Sequence, residues 1–374
     1  MSKTLIRTIC VKLDVDGHDA ALTATQCAFN EAAAWIARVC WDEGITNTNT
    51  AHHRVYGETR LQFGLSAQLA VCARAKAVEA IKAVRAKKRD TCPTFSPRGS
   101  IRYDARTYRL MSLDRVSLNT LEGRVVCRLL LGPRQHEMLV DPAWEIGGAD
   151  LVWRDGVYYL HITQSQEAPP ERRPDDGTLG VDLGIVKLAT DSEGESFTGA
   201  IIHLVRTRYH LRRQRLQKCG SRNAKRRIRR MGQQEVRFQR NTNHCISKRL
   251  VQKAAVLRKA IALEDLSGII ERTTVQRKHR YERHSWAFFQ LRQYITYKAA
   301  WAGVPVYLVD PRNTSRTCSR CGHCEKANRK SQAEFLCRNP LCRHAMNADH
   351  NAAINISRTE RAAVNRPMAS PRAG

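Results

Sequence analysis

Residues 4–14, TLIRTICVKLD, alternate apolar and polar positions often enough to predict a strand. From about residue 18 to 90 the period lengthens to that of helices. Two alanine-rich runs, NEAAAWIARVCW and LSAQLAVCARAKAVEAIKAVRAKK, are separated there by the loop GITNTNTAHH. Over 92–165 β-branched and aromatic residues return in RVVCRLLL, ADLVWRD and VYYLHITQ, bounded by Gly, Pro and Asp turns, and predict strands. The N-terminal half thus reads as a β-barrel-like domain, 1–17 and 91–166, with a helical insertion at 18–90. It holds no catalytic motif.

The polar, proline-rich QEAPPERRPDDG (167–177) reads as a linker. TLGVDLGIVKLATDSEGESFTG follows as two strands joined by a turn at DSEG. A strongly basic stretch of helical composition spans 206–240 and continues through HCISKRLVQKA into the strand AIALED, 260–265. A helix over about 284–302 leads to the strand VPVYLVD, 304–310. Strand–helix–strand connections of this length suit parallel strands in one sheet. Near the end, NADHNAAINI (347–356) sets Asp349, Ala352, Ala353 and Ile356 on one helical face. That face turns a carboxylate inward among small aliphatic groups, so Asp349 is expected to meet a cation. The polar tail, 358–374, is expected to be disordered.

Charge sharpens this picture. Among 374 residues, 63 Lys and Arg stand against 35 Asp and Glu, a net charge of +28, and so large a surplus points to a polyanionic partner. No run approaches the ~18–20 apolar residues of a membrane span, and the first twenty residues lack a secretory signal, so a cytoplasmic protein is expected. In that compartment the thirteen cysteines are not a disulfide scaffold. Eight of them (Cys10, Cys27, Cys40, Cys72, Cys92, Cys127, Cys219, Cys245) are scattered and read mostly as small core hydrophobes.

The other five crowd into 318–342. Cys318-x2-Cys321 and Cys337-x4-Cys342 present two pairs of thiolates, which is what a tetrahedral Zn²⁺ needs. The second pair is wide, so Cys324, His323 and His344 stay open as alternative ligands, with Cys324 the spare. A site closed by four protein ligands is structural. Two further carboxylates join Asp349. Asp182 lies in LGVDLG, where flanking glycines would leave room for an ion, and Glu264 ends AIALE at a strand terminus. Three acids at one sheet edge repel unless cations separate them, and two Mg²⁺ ions would satisfy all three. Singly, Asp182 could equally be a strand-end turn former and Glu264 half of an ion pair with an arginine, and Asp265 reads as solvated or a local cap.

Together these segments resemble the TnpB family of transposon-encoded RNA-guided nucleases, related to compact type V CRISPR effectors. GVDLGIVKLAT, NTNHCISKRLV, ALEDLSGI, SWAFFQLRQYITYKAAWAGVPVYLVDPRNTSRTCSRCGH and NADHNAAINI carry the likeness, in order, over roughly 178–357. The resemblance implies an α+β multidomain protein. Its RNase H-like, RuvC-type nuclease domain would occupy 178–312 and 345–357, interrupted by a zinc ribbon at 313–344. The family's metal-binding acids map onto Asp182, Glu264 and Asp349. The N-terminal half matches only in outline, as a wedge barrel with a recognition insertion, and no residue there is assigned to reading DNA.

The resemblance further implies partners: a guide RNA, and double-stranded DNA selected by pairing with that RNA and by a short adjacent motif. Arg212, Arg213, Arg226, Arg227, Arg229 and Arg230, in a helix read as basic nearly all round, would then grip phosphates. Trp286, Phe288 and Phe289 are expected in a core, and His244 and His284 in structural or phosphate-facing roles. Metal-activated water would be the nucleophile, with Asp182 shared by both ions and Glu264 and Asp349 each holding one, leaving 5′-phosphate and 3′-hydroxyl ends. A guided repressor that no longer cuts, a transposase with the same acids, and a zinc-ribbon DNA-binding module are the rival readings. The last leaves Asp182 and Glu264 without a job.

Overall fold

The computed structural model describes residues 4–172, 174, 177–184, 186–265, 288–331 and 333–358. Beyond Arg358 the expected tail lies outside the described residues, as do Trp286 and His284. The chain divides after Glu167 into two units.

The first unit runs β1 (Thr4–Asp14), α1 (Asp19–Asp42), α2 (Thr48–Phe63), α3 (Ala67–Ala86), β2 (Ile101–Tyr103), β3 (Tyr108–Leu110), β4 (Arg115–Thr120), β5 (Gly123–Leu130), α4 (Pro133–Val140), β6 (Glu145–Arg154) and β7 (Val157–Glu167). Its strands form one antiparallel sheet in the order β2-β6-β7-β1-β5-β4-β3. The two edge strands are consecutive in sequence, and their tyrosines draw the edges together. Tyr103 on β2 donates to the Asn119 carbonyl on β4 at 3.0 Å, and Tyr108 on β3 donates to the Gly147 carbonyl on β6. The result is a nearly closed, barrel-like sheet. Phe29, Ile36, Leu69 and Ile81 of the helices share one core with Tyr103, Leu118, Leu151 and Leu160 of the strands.

Three expectations for this half change. The loop GITNTNTAHH is largely helix: the Asn47 side chain accepts from the Asn49 and Thr50 amides, at 2.8 and 3.2 Å, and starts α2. The β-rich stretch contains α4, opened by Pro133 and by the Gly132 amide donating to Gln135 Oε1 at 2.6 Å. Of the eight scattered cysteines, counted along the whole chain, Cys40, Cys72 and Cys127 are buried, whereas Cys10, Cys219 and Cys245 are exposed. Cys10 falls on the outward positions of β1, opposite in phase to Ile9 and Val11.

The second unit runs β8 (Thr178–Asp182), β9 (Lys187–Asp191), β10 (Ser196–Thr198), α5 (Ala200–Cys219), α6 (Arg222–Val256), β11 (Ala260–Glu264), α7 (Phe288–Trp301), β12 (Val306–Val309), a 3₁₀ turn (Lys326–Asn328), β13 (Glu334–Leu336), β14 (Ala345–Asn347) and α8 (Ala348–Arg358). Its main sheet has the order β10-β9-β8-β11-β12. β8, β11 and β12 are parallel, and β9 and β10 are added antiparallel. The segment read as two strands is therefore three, because β8 and β9 run antiparallel as well as β9 and β10. Leu179, Val181, Ile261 and Leu263 form one core with Ile246, Leu250 and Val251 of α6 and Leu291 and Ile295 of α7. Strand alternation puts Gly180, Asp182, Ala262 and Glu264 on the opposite face, and α8 packs there.

The basic segment is two helices. Gly220, at φ +64°, ends α5, and the Ser221 hydroxyl accepts from the Ala224 amide to start α6. It is not basic all round: Ala224 and Met231 are buried and Ile228 half-buried. Arg213 faces Glu235 at 2.6 Å. On α7, Leu291, Ile295 and Ala299 make the buried stripe, leaving Phe289 62% exposed with the Arg292 guanidinium 5.4 Å from its ring centre. The expected core place of Phe289 is overturned, since it falls off the i, i+4, i+8 row. His244 stacks on Tyr294 with ring centroids 4.1 Å apart.

Candidate metal centres

In parallel register Val181 lies beside Leu263. The next residue of each strand is an acid, Asp182 on β8 and Glu264 on β11, so the two carboxyls leave the same face at the same level. Asp349 enters from α8. The depth at which α8 sits is set by Gly180, where an added Cβ would lie 2.1 Å from the Ala353 carbonyl oxygen and 2.5 Å from the Ser357 nitrogen. The glycines flanking Asp182 thus serve another purpose than room for an ion. Gly180 admits the backbone of α8, and Gly184 admits the Lys187 carbonyl, 2.7 Å from where its Cβ would be. Asn347 caps α8, its side-chain oxygen accepting from the Asp349 and His350 amides at 3.2 and 3.3 Å.

The three acids feel one another. Burial, followed by the charges of Glu264 and Asp349, pushes the Asp182 carboxyl up to about 8. Burial also raises Glu264 and Asp349, against the pull of Arg329 on both. Thr190, directly opposite Asp182 on β9, has a buried hydroxyl with no hydrogen-bond partner. An all-oxygen donor set this desolvated suits a hard cation such as Mg²⁺. Asp265, next to Glu264, keeps a side chain 37% exposed and also accepts from Arg292 of α7 at 2.9 Å.

Four side chains around the acids were not singled out in the sequence. The Arg329 guanidinium lies 3.7 Å from Asp349 Oδ1, and Lys187 donates to Asn347 Oδ1 at 3.0 Å. The Thr314 hydroxyl donates to Glu264 Oε1 at 2.5 Å, and Asn355 donates to the Thr314 carbonyl at 2.8 Å. Lys187, Thr314 and Asn355 lie in segments that carry the resemblance, but each of the four reaches the acids only through a distant fold contact.

The cysteine module sits between β12 and α8. Its Cys318, Cys321, Cys337 and Cys342 sulfurs lie within 4.8 Å of one another, with 3.9 Å between Cys318 and Cys342 and 3.6 Å between Cys321 and Cys337. A tetrahedron with metal–sulfur bonds of about 2.3 Å has edges of about 3.8 Å, so this set fits zinc. Each pair is held by a tight turn: the Gly322 amide donates to the Cys318 carbonyl, and the Cys342 amide to the Asn339 carbonyl. The hairpin β13–β14 brings the second pair to the first. The backbone N–H of His323 draws the Cys321 thiol down to about 7, toward the thiolate a metal takes. Of the alternatives, His323 pairs with Glu325, His344 turns to the Met346 sulfur, and Cys324 is exposed outside the four.

Of the six candidate phosphate-binding arginines, Arg212, Arg226, Arg227, Arg229 and Arg230 are exposed, and Arg213 is engaged with Glu235. No described helix is long and apolar enough to cross a membrane.

The family described as Cas12f1-like, TNB domain matches residues 288–356. The chain is 35% identical over 223 residues to a CRISPR-associated endodeoxyribonuclease Cas12f2 of a Micrarchaeota archaeon, covering 54% of this chain and 40% of that one. It is 35% identical over 114 residues to a TnpB-like protein of Methanocaldococcus jannaschii, covering 30% of this chain and 40% of the relative. The chain spans less than two thirds of the length of these curated relatives. In fold it resembles a solved Cas12f1–sgRNA–target DNA complex, with a TM-score of 0.67 at 15% identity over 90% of this chain and 83% of the other. The chain is thus similar to TnpB-like and Cas12f proteins, with residues 288–356 matching the Cas12f1-like TNB domain and a fold resembling that of Cas12f1.

Proposed function

We propose that the chain is an RNA-guided DNA endonuclease, with a RuvC-type, RNase H-like nuclease domain built on β8–β12 and α8 and a zinc ribbon at 313–344. The observation that carries this is the convergence of Asp182, Glu264 and Asp349 at one sheet end, each pushed toward its protonated form where no cation neutralises it. Relatives named as Cas12f endodeoxyribonucleases, and a structural neighbour bound to sgRNA and target DNA, support a guide RNA and target DNA as partners.

Asp182, Glu264 and Asp349 would hold Mg²⁺, and Cys318, Cys321, Cys337 and Cys342 Zn²⁺. Bound there, Mg²⁺ supplies Lewis-acid activation of water and neutralises the leaving oxygen. The protein's own side chains do the rest. Asp182, which feels the charges of both Glu264 and Asp349, would be the ligand common to the set. Arg329, beside Asp349, presents a guanidinium to the phosphodiester being cut. Lys187, bonded to the cap of α8, keeps positive charge near Asp182 and Asp349. The exposed Arg212, Arg226, Arg227, Arg229 and Arg230 grip phosphates of the guide or heteroduplex without reading sequence.

The test is expression with the native flanking DNA, sequencing of co-purified RNA, and a Mg²⁺-dependent plasmid cleavage assay. A discrete RNA whose variable end directs cutting is expected, with Asp182→Ala abolishing cleavage while RNA binding persists. Guided binding without cutting would identify a repressor. Absence of a discrete RNA would overturn the guided reading in favour of the transposase.

A further inference from the structure

Thr314 belongs to neither candidate ligand set, yet it is tied to both. It stands four residues before Cys318 and is 7% exposed. Its hydroxyl carries one hydrogen, which goes to Glu264 Oε1 at 2.5 Å, while the Pro311 carbonyl lies 3.1 Å away. Its own carbonyl accepts from Asn355 Nδ2 on α8 at 2.8 Å. The same helix secures the following residues. Asn355 and Asn351 donate to the Thr317 carbonyl at 2.7 and 2.8 Å, and the Ser319 amide donates to Asn351 Oδ1 at 2.9 Å.

A glutamate at the end of a strand keeps several free torsions, and a carboxylate in the wrong rotamer holds no cation at the required place. A short O–H···O bond to one oxygen removes that freedom and leaves the other oxygen available. Partners of this kind, bonded to a ligand and not to the metal, typically change metal affinity about 10–100-fold. Thr314 has a further property: its main chain is fixed to the helix that carries Asp349. One residue therefore sets the orientation of Glu264 relative to α8, and it is delivered by the segment leading into the cysteine turns.

We propose that Thr314 is the positioning residue of the acid site, orienting Glu264 for a divalent cation and coupling that orientation to the docking of the cysteine module on α8. This rests on the reading of Asp182, Glu264 and Asp349 as a cation site. Thr314 touches no reacting atom, so its loss lowers cation affinity and leaves the chemistry available at high cation concentration.

The experiment is Mn²⁺ binding to the full chain with its cysteine metal retained, read by the paramagnetic signal of free Mn²⁺, with melting temperature and zinc content measured alongside. Thr314→Val is expected to weaken binding about tenfold or more, and Thr314→Ser to restore it. Excess Mn²⁺ should recover cleavage by the valine variant. If the valine variant does not fold, Ser against Ala at 314 makes the same hydroxyl comparison. Wild-type Mn²⁺ affinity in the variants lacking the hydroxyl, with Glu264→Ala impaired, overturns the role of Thr314 and leaves the acid site standing. Equal Mn²⁺ binding by the wild type and Glu264→Ala removes the acid site itself, and this proposal with it.

Discussion

Asp182 is where the physical tension of the site concentrates. Its carboxyl is pushed up to about 8, whereas the unperturbed group titrates at 3.8. Between those values the folded chain holds a proton that the unfolded chain has released. The contribution to stability is therefore complete below about 4 and lost as pH rises through about 8. A bound divalent cation favours the ionised form and removes the dependence. In Mg²⁺-free buffer, with the cysteine metal left in place, the melting temperature of the second unit should fall from pH 5 to pH 8. Mg²⁺ or Asp182→Asn should flatten that slope, and a slope unchanged by either would contradict the crowding of the three acids. Asp349 could be singled out as a candidate one residue at a time, because a carboxylate on an apolar helical face has few explanations. Arg329 and Thr314 could not, because their side chains meet acids that are distant in sequence.

The meeting of β8 with α8 shows how an element's position rests on a single missing atom. Gly180 reads in sequence as space for a ligand, but the space is filled by helix backbone. Gly180→Ala must push α8 off the sheet, since neither the Ala353 carbonyl nor the Ser357 amide can rotate away. Overpacking of this kind costs typically ~1–3 kcal/mol, so a drop of several degrees in the unit's melting temperature is expected, with faster amide exchange in α8. Cleavage should fall while RNA binding stays. A variant with wild-type stability and exchange would show that α8 does not seat there. Sequence composition made α5 and α6 look uniformly basic, and only their pairing reveals that Ala224, Ile228 and Met231 face inward and that Arg213 is engaged with Glu235.

For the whole molecule, the two units have separate cores, one drawn from residues 9–162 and the other from 179–304. The metal-ligand candidates all belong to the second. Cys321→Ser, or removal of zinc by a strong chelator, should unfold the cysteine turns and release Thr314, Arg329 and the Asn351 and Asn355 clamps. Cleavage should be lost and the second unit's thermal transition lowered, with that of the first unit kept in place. Calorimetry or domain-resolved hydrogen exchange reads both; a first-unit transition that moved equally would show that the cores are not independent.

By itself the sequence indicated most of the strands and helices, the two cysteine pairs and three candidate acids, but not α2, α4, β10 or the break between α5 and α6. Period, turn residues and ligand spacing are local properties that survive in one dimension. The tertiary structure decided which four sulfurs close a tetrahedron, since the β13–β14 hairpin and the turn hydrogen bonds select Cys342 over His344 and Cys324. It also decided that Asp182 and Glu264 leave the sheet at one level, a matter of strand register. The groups that orient and balance the acids, Thr314, Asn355, Lys187 and Arg329, come from positions up to 160 residues from their partners. No local pattern encodes such contacts, because each depends on where the backbone of another element has already been placed.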